Sequence, residues 1–363
     1  MIIEIRAKNC FVFEEEISFS MKADMRNKKF ASNVHRENNF NVLKTVGVYG
    51  PNNVGKTCLV KCIRAIKHVL LDKKSGLVPN IFSDNEVCQL GVTFLAYGRK
   101  FSYDFWYNAK TNEYVYESFS EMLKDHYGNE KEVNWLKRDT INDVYYCTDE
   151  DVQAMMAIIS KNNLFCYLVD ISKFECLKEM KDILVGFAEK IDIINMNNIP
   201  MKHTIELMKN RNNLQEKIVE FIKNADLYMD DFKYVDVDNI QVKASDEEER
   251  PEEKALDIPE NIMDQIRLVS TYKGVHVPSM LFDSTGTKKI AAIASYVIEA
   301  LEEGRFLVVD ELDSSIHFKL TRAIVALFNN ELNTSAQMIF TVHDINLMDC
   351  TFPIFYNIFL LPL

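Results

Sequence analysis

The chain has 363 residues, 47% of them hydrophobic and 26% charged, with a formal net charge of −12. That length and composition suit a globular protein of one large domain or two small ones. The acidity makes whole-molecule attraction to nucleic acid a poor default, so such binding would need a local basic patch.

The start, MIIEIRAKNC, lacks a charged region followed by a long apolar run, so no signal peptide is expected. No stretch reaches the roughly 18 apolar residues of a membrane span. There are eight cysteines and no C-x-x-C pair, which predicts a reducing, cytoplasmic setting. Cys58 and Cys62, one helical turn apart, read as buried small residues, because zinc would need further Cys or His at tight spacing.

In chain order, Ile2–Ile5 and Phe11–Phe19 read as strands. Val46–Tyr49 is a short apolar strand that runs into a Gly-rich loop, and a helix follows with Leu59, Cys62, Ile63, Ile66 and Leu70 on one face. From Val87 to Tyr116, alternating aromatic residues punctuated by Gly98 and Asn108 predict an antiparallel meander. The next hundred residues read as mostly helical. His203–Asn224 is the clearest helix, with Leu207, Leu214 and Phe221 recurring every seventh position, as a packed amphipathic helix or a short arm. Ala244–Lys254 is an acidic run that reads as a solvated loop or as a docking site for a basic partner. Thr287–Glu302 is an amphipathic helix stopped by Gly304. Phe306–Val309 and Met338–Val342 are buried strands, and Thr321–Phe328 is the helix between them. The apolar tail Phe352–Leu363 reads as a strand or docking segment.

Two motifs carry chemistry. The first is GPNNVGKT, formed by Gly50, Pro51, Asn52, Asn53, Val54, Gly55, Lys56 and Thr57, with Cys58 next. Its setting of strand, GxxxxGK[ST] and helix is what a phosphate-binding loop requires. The glycines let backbone N–H groups curl towards phosphate oxygens, and the helix start adds positive potential. Lys56 reaches the β- and γ-phosphates, and Thr57 offers its hydroxyl to Mg²⁺. The second is RFLVVDEL, where Asp310 and Glu311 end an apolar strand. Strand neighbours point to opposite sides, so Asp310 is expected near Mg²⁺ and Glu311 near an attacking water as general base.

DSTGTKK, Asp283–Lys289, precedes that strand and opens a helix. It resembles the signature motif of ABC-type ATPases in a form ending S-x-G-T-K, with Ser284 and Gly286 at the matching positions. A small hydroxyl, a glycine and a helix N-terminus suit a phosphate. DELDSSIH resembles a D-loop with Asp313 at its key position, and IFTVH, Ile339–His343, resembles the switch-histidine strand. Together these motifs make the chain similar to the stand-alone ABC/SMC-like AAA-family ATPases of bacterial antiphage, or abortive-infection, systems. KNCFVF, Lys8–Phe13, and IKNADLYMDDF before the acidic run extend the resemblance over nearly the whole chain. The chain departs from it at Phe11, where relatives often carry a basic residue, in lacking an assignable Q-loop glutamine, and in stopping soon after His343.

The resemblance implies an α/β fold: an ABC-type P-loop ATPase head with a mainly parallel sheet, an antiparallel β lobe and a helical insertion too short for SMC arms. The expected organisation is an N-terminal lobe over 1–118, a helical insertion over 119–235, an acidic linker over 236–265 and a C-terminal lobe over 266–363. ATP and Mg²⁺ are the implied cofactors. Catalysis falls to Glu311, His343 and Lys56, metal holding to Thr57 and Asp310, and nucleotide contact to the loop, Ser284, Gly286 and Asp313. The signature would face the nucleotide of a second subunit, giving a homodimer or higher homo-oligomer around ATP. A separate effector, a toxin or nuclease, is the implied partner, because the chain shows no nuclease pattern of its own. Two other classes stay open: an ATP-gated scaffold that does not hydrolyse, and a DNA-tethering ATPase using Lys22, Arg26, Lys28, Lys29 and Arg36. A membrane partner is not expected.

Overall fold

The computed structural model describes residues 1–24, 31–38, 40–51, 54–124, 130–168, 173–225, 228–235, 266–343 and 358–360. Asn52 and Asn53, the acidic run, Arg26, Lys28, Lys29 and most of the C-terminal tail lie outside them.

The strand that feeds the phosphate loop is β5 (Thr45–Tyr49), buried throughout. It lies in a five-stranded parallel sheet with β11 (Ile191–Asn195), β15 (Phe306–Asp310), β16 (Gln337–Thr341) and β17 (Ile358–Leu360), in the order β11-β15-β16-β5-β17. All-parallel strands must be covered on both faces, and their alternation shows how. Val46, Val48, Val308 and Ile339 face one hydrophobic cluster, while Leu307, Val309, Met338 and Phe340 face another. Helices α1 (Lys56–Leu70) and α4 (Glu175–Glu189) fill the first face. Helices α8 (Thr285–Glu303) and α9 (Phe318–Phe328) cover the second.

Beyond α1 and α4 lies an antiparallel sheet of seven strands, ordered β10-β9-β8-β7-β6-β1-β2. It comprises β1 (Ile2–Lys8), β2 (Ile17–Ser20), β6 (Val87–Ala96), β7 (Arg99–Asn108), β8 (Glu113–Lys124), β9 (Glu130–Asp139) and β10 (Val144–Cys147). Its inner face is aromatic: Phe94 stacks on Phe187 of α4 at 4.0 Å between centroids, and Phe101 stacks on Phe119 at 5.3 Å. The Gln337 side chain ties the two sheets together. It accepts from Ile2 N at 2.7 Å and donates to Ile2 O at 2.8 Å and Leu43 O at 2.9 Å. A third cluster joins α5 (Lys202–Asn210), α6 (Asn212–Ala225), β12 (Asp231–Tyr234) and β13 (Leu268–Tyr272) to α8. The remaining elements are the β3–β4 hairpin (Val34–Glu37, Phe40–Leu43), β14 (Val275–Pro278), and the short helices α2 (Glu150–Met156), α3 (Phe165–Leu168) and α7 (Ser279–Phe282).

Four expectations change. Helix does not begin at 119: β8 runs through 118 and the meander continues to Cys147, so the helical region starts at Glu150. The charged strand β9 half faces solvent, which hides its apolar positions Trp135 and Leu136 in the sequence. Ile191–Asn195, inside the expected insertion, pairs in parallel with Phe306–Asp310 and belongs to the main sheet. The long helix at 203–224 is two helices, broken at Arg211, whose guanidinium reaches Glu299 and Glu303 of α8. Phe11–Phe19 is not one strand, because Phe11 sits at φ 55° in a tight turn closed by a Cys10–Phe13 bridge and the strand itself begins only at Ile17.

Candidate nucleotide site

In a parallel sheet every strand ends at the same edge, and ligands collect there. Here Tyr49, Asn195, Asp310 and Thr341 end β5, β11, β15 and β16 at that edge. An open cleft of about 660 Å³ lies beside them, lined by Pro51, Gly55, Lys56, Thr57, Cys58, Asp310, Glu311, Thr341 and His343, with Val12 and Lys61 at its side. That volume is within the range of small-molecule sites.

The loop is built to stay open. Gly55 takes φ 100° as the residue before α1 and offers no side-chain cap, so the first N–H groups of the helix keep no such partner. A Cβ on Gly55 would lie 2.9 Å from Phe13 and 3.0 Å from Val12, and one on Gly50 would lie 2.7 Å from Val54. Lys56 folds back onto the loop, donating to Gly50 O at 2.5 Å and Pro51 O at 2.8 Å. Burial pulls its ammonium below the usual lysine value, opposed by the carboxylates of Asp310, Asp313 and Glu311.

The acidic half is held by residues that sequence reasoning missed. Thr341 Oγ1 donates to Asp310 Oδ1 at 2.7 Å and accepts from Glu311 N at 2.8 Å. Asn195 Nδ2 donates to Asp310 Oδ2 at 3.0 Å, so the amide beside this carboxylate comes from an asparagine at the end of β11. Asn197 donates to the Glu311 carboxylate and accepts from Ser314 Oγ at 2.5 Å. Glu311 is not an ordinary strand neighbour of Asp310, as the sequence suggested. It sits at φ 58°, past the end of β15. A left-handed glutamate costs about 1–3 kcal/mol, and such strain concentrates at functional sites. Asp313 Oδ2 accepts from His343 N at 2.9 Å, which sets the strand-end histidine at the rim.

Two hard oxygen donors, Thr57 Oγ1 and Asp310 Oδ1, stand 3.5 Å apart. Mg²⁺ favours such oxygens and keeps most of its waters, so a site with few protein ligands fits it. Phosphate fits the uncapped helix start and a loop whose two glycine positions leave no room for a side chain.

Ser284 and Gly286 do not line this cleft. Ser284 is the exposed N-cap of α8, and its Oγ accepts from Thr287 N at 3.1 Å. Lys289 reaches Ser315 Oγ at 3.0 Å, which packs the start of α8 against the loop after Glu311. Cys62 is buried, as expected, whereas Cys58 is only half-buried and lines the cleft. No helix among the described residues is long and apolar enough to cross a membrane.

Residues 199–349 match the family described as "AAA domain, putative AbiEii toxin, Type IV TA system". Among solved structures, the chain is similar to an SmcHead bound to the C-winged helix domain of ScpA, at 12% identity and TM-score 0.51, over 96% of this chain and 92% of that one. It is also similar to the SMC head domain from Thermotoga maritima, at 11% identity and TM-score 0.45, over 96% and 91%. No curated protein matches. The likeness to the SmcHead structure shows the fold, an α/β head of SMC type with parallel and antiparallel sheets.

Proposed function

We propose that the chain is an ATPase that closes around ATP as a two-subunit sandwich and uses that closure to control a separate effector protein. One observation carries the reading: Lys56, Thr57, Asp310, Glu311 and His343 meet in one cleft, while Ser284 and Gly286, at the start of α8, are not among the residues that line it and Ser284 is exposed. A second copy supplies the signature in this reading.

Lys56 leaves the loop carbonyls for phosphate oxygens, and the N–H groups at the start of α1 take the β-phosphate. Thr57 and Asp310 hold Mg²⁺, which when bound offsets phosphate charge. Asn195 and Thr341 fix the Asp310 carboxylate. Glu311 accepts a proton from the attacking water, and its release from Asn197 is part of the approach to that geometry. His343, set by Asp313, contacts the γ-phosphate side of the cleft. The intact Glu311 disfavours a scaffold that does not hydrolyse.

The family description of residues 199–349 names a toxin of a toxin–antitoxin system, and the SmcHead structure was solved with a partner domain. Both support a role beside another protein, and antiphage defence is the setting that the motif resemblance implies. Phosphate release by purified protein tests the enzyme. Lys56→Ala should lower it by about 10²-fold or more, and equal rates in the two proteins would sink the ATPase reading. Capture from the native host with the Glu311→Gln form in ATP and Mg²⁺ tests the effector, which the recovery of this chain alone would remove.

A further inference from the structure

Two pairs of large apolar side chains stand in water, and each adjoins one half of the composite site. Ile81 and Phe82 are 82% and 81% exposed, and Leu281 and Phe282 are 69% and 68% exposed. Neither pair sits on a loose loop. Phe11 N donates to Val78 O at 2.9 Å, Asn80 Nδ2 to Phe11 O at 3.1 Å, Asn80 N to Asn9 Oδ1 at 3.1 Å and Phe82 N to Asn80 Oδ1 at 2.8 Å. The second pair is pinned through Asp283, which accepts from Ser270 Oγ and Ser279 Oγ at 2.6 Å each and from Tyr272 OH at 3.0 Å. Fixed display of apolar side chains to solvent marks an interaction surface.

Ile81 and Phe82 form one wall of an apolar groove of about 660 Å³, with Phe11, Val12, Val78 and Pro79. Val12, Cys58 and Lys61 line both this groove and the nucleotide cleft, so the two are continuous. Phe282 stands two residues before Ser284, within about 7 Å of it along the chain. A partner that brings Ser284 to the phosphates therefore brings Leu281 and Phe282 to the mouth of the groove. Lys61, Arg64 and His68 border the groove on its polar side.

We infer that the groove beside the phosphate loop receives Leu281 and Phe282 of a second copy of this chain, forming an apolar seal at each end of the ATP sandwich. The inference rests on the proposed sandwich and adds its contact. A two-fold axis makes the contact twice, each groove taking the other copy's pair. Desolvated aromatic anchors of this kind carry most of an interface's binding energy, and the polar contacts to nucleotide supply register.

The test uses the full chain carrying Glu311→Gln, with dimerisation measured by sedimentation in ATP and Mg²⁺. Ile81→Ser with Phe82→Ser, and separately Leu281→Ser with Phe282→Ser, should each weaken the ATP-dependent dimer about tenfold or more. ATP affinity measured on dilute monomer should stay within about twofold, and thermal unfolding should show both variants folded. In a mixture of Phe82→Cys and Phe282→Cys chains, a short bismaleimide should link positions 82 and 282 only with ATP present. If the parent dimerises and neither double variant weakens it, the seal is overturned and the sandwich stands. Loss of ATP affinity in the groove variant would place the nucleotide base there and overturn the seal as well. No ATP-dependent dimer in the parent would remove the sandwich and the seal together.

Discussion

Two helices begin next to glycine and hydroxyl residues in this molecule, and they begin in different ways. Helix α1 follows Gly55 and has no side-chain cap. Helix α8 follows Ser284, whose hydroxyl caps Thr287 N. The first leaves its N–H groups for a ligand and is walled by Val12 and Phe13 so closely that only glycine fits. The second is satisfied within its own chain and exposed. In the proposed sandwich, one half of the site is assembled by the fold of a single chain, and the other half begins at an exposed, already capped helix start. The proposed sandwich is the arrangement in which these two kinds of helix start share one nucleotide.

The contrast can be broken at either end. The largest effect is expected at the open end. Gly55→Ala should cost about 1–3 kcal/mol through its left-handed backbone and its contact with Phe13, and ATP affinity should fall with it. Calorimetric unfolding and titration with ATP read both, and unchanged affinity would show that the loop's curvature is not needed. An intermediate effect is expected at Thr341→Val, which keeps the shape and removes the bonds to Asp310 and Glu311 N. Stability should fall by about 1–3 kcal/mol, with turnover reduced in proportion to the loosened carboxylates. A variant as active and as stable as its parent would deny Thr341 that positioning role. The smallest stability effect is expected at the capped end. Ser284→Ala should lose about 1 kcal/mol of helix capping, and Ser284→Gly only a few tenths. If Ser284 also serves a partner's nucleotide, both variants should lose turnover while dilute monomer binds ATP normally. Recovery of activity in Ser284→Gly would reduce the residue to a cap.

Much of this was legible in residue order. Strand, glycine loop and helix around Lys56 lie where the motif requires, and the helix that DSTG opens starts at Thr285, two residues ahead of the expected Thr287. The strand under Asp310 runs one residue past its expected end, and the strand ending at Thr341 is shifted by one residue at both ends. What stayed hidden depends on pairing across the sheet. Asn195, Asn197 and Thr341 are common polar residues in any sequence, and only parallel register sets them beside Asp310 and Glu311. An apolar run ending in two acids announced carboxylates at a strand end. It could not announce that the second one turns into a left-handed conformation. The strand at Ile191 was hidden by its five-residue length between helices, and the outer meander by charges on its solvent face.

Gln337 has a mechanical consequence. It begins β16, whose far end carries Thr341 and is followed by His343 at the cleft. Five residues of strand make a strut about 17 Å long. One end touches the place where a phosphate would be gained or lost, and the other is bolted to Ile2 and Leu43. A strand hydrogen-bonded on both sides is stiff along its length. Through that one strand, the cleft edge of the parallel sheet and the first strand of the antiparallel sheet are joined as a single rigid frame.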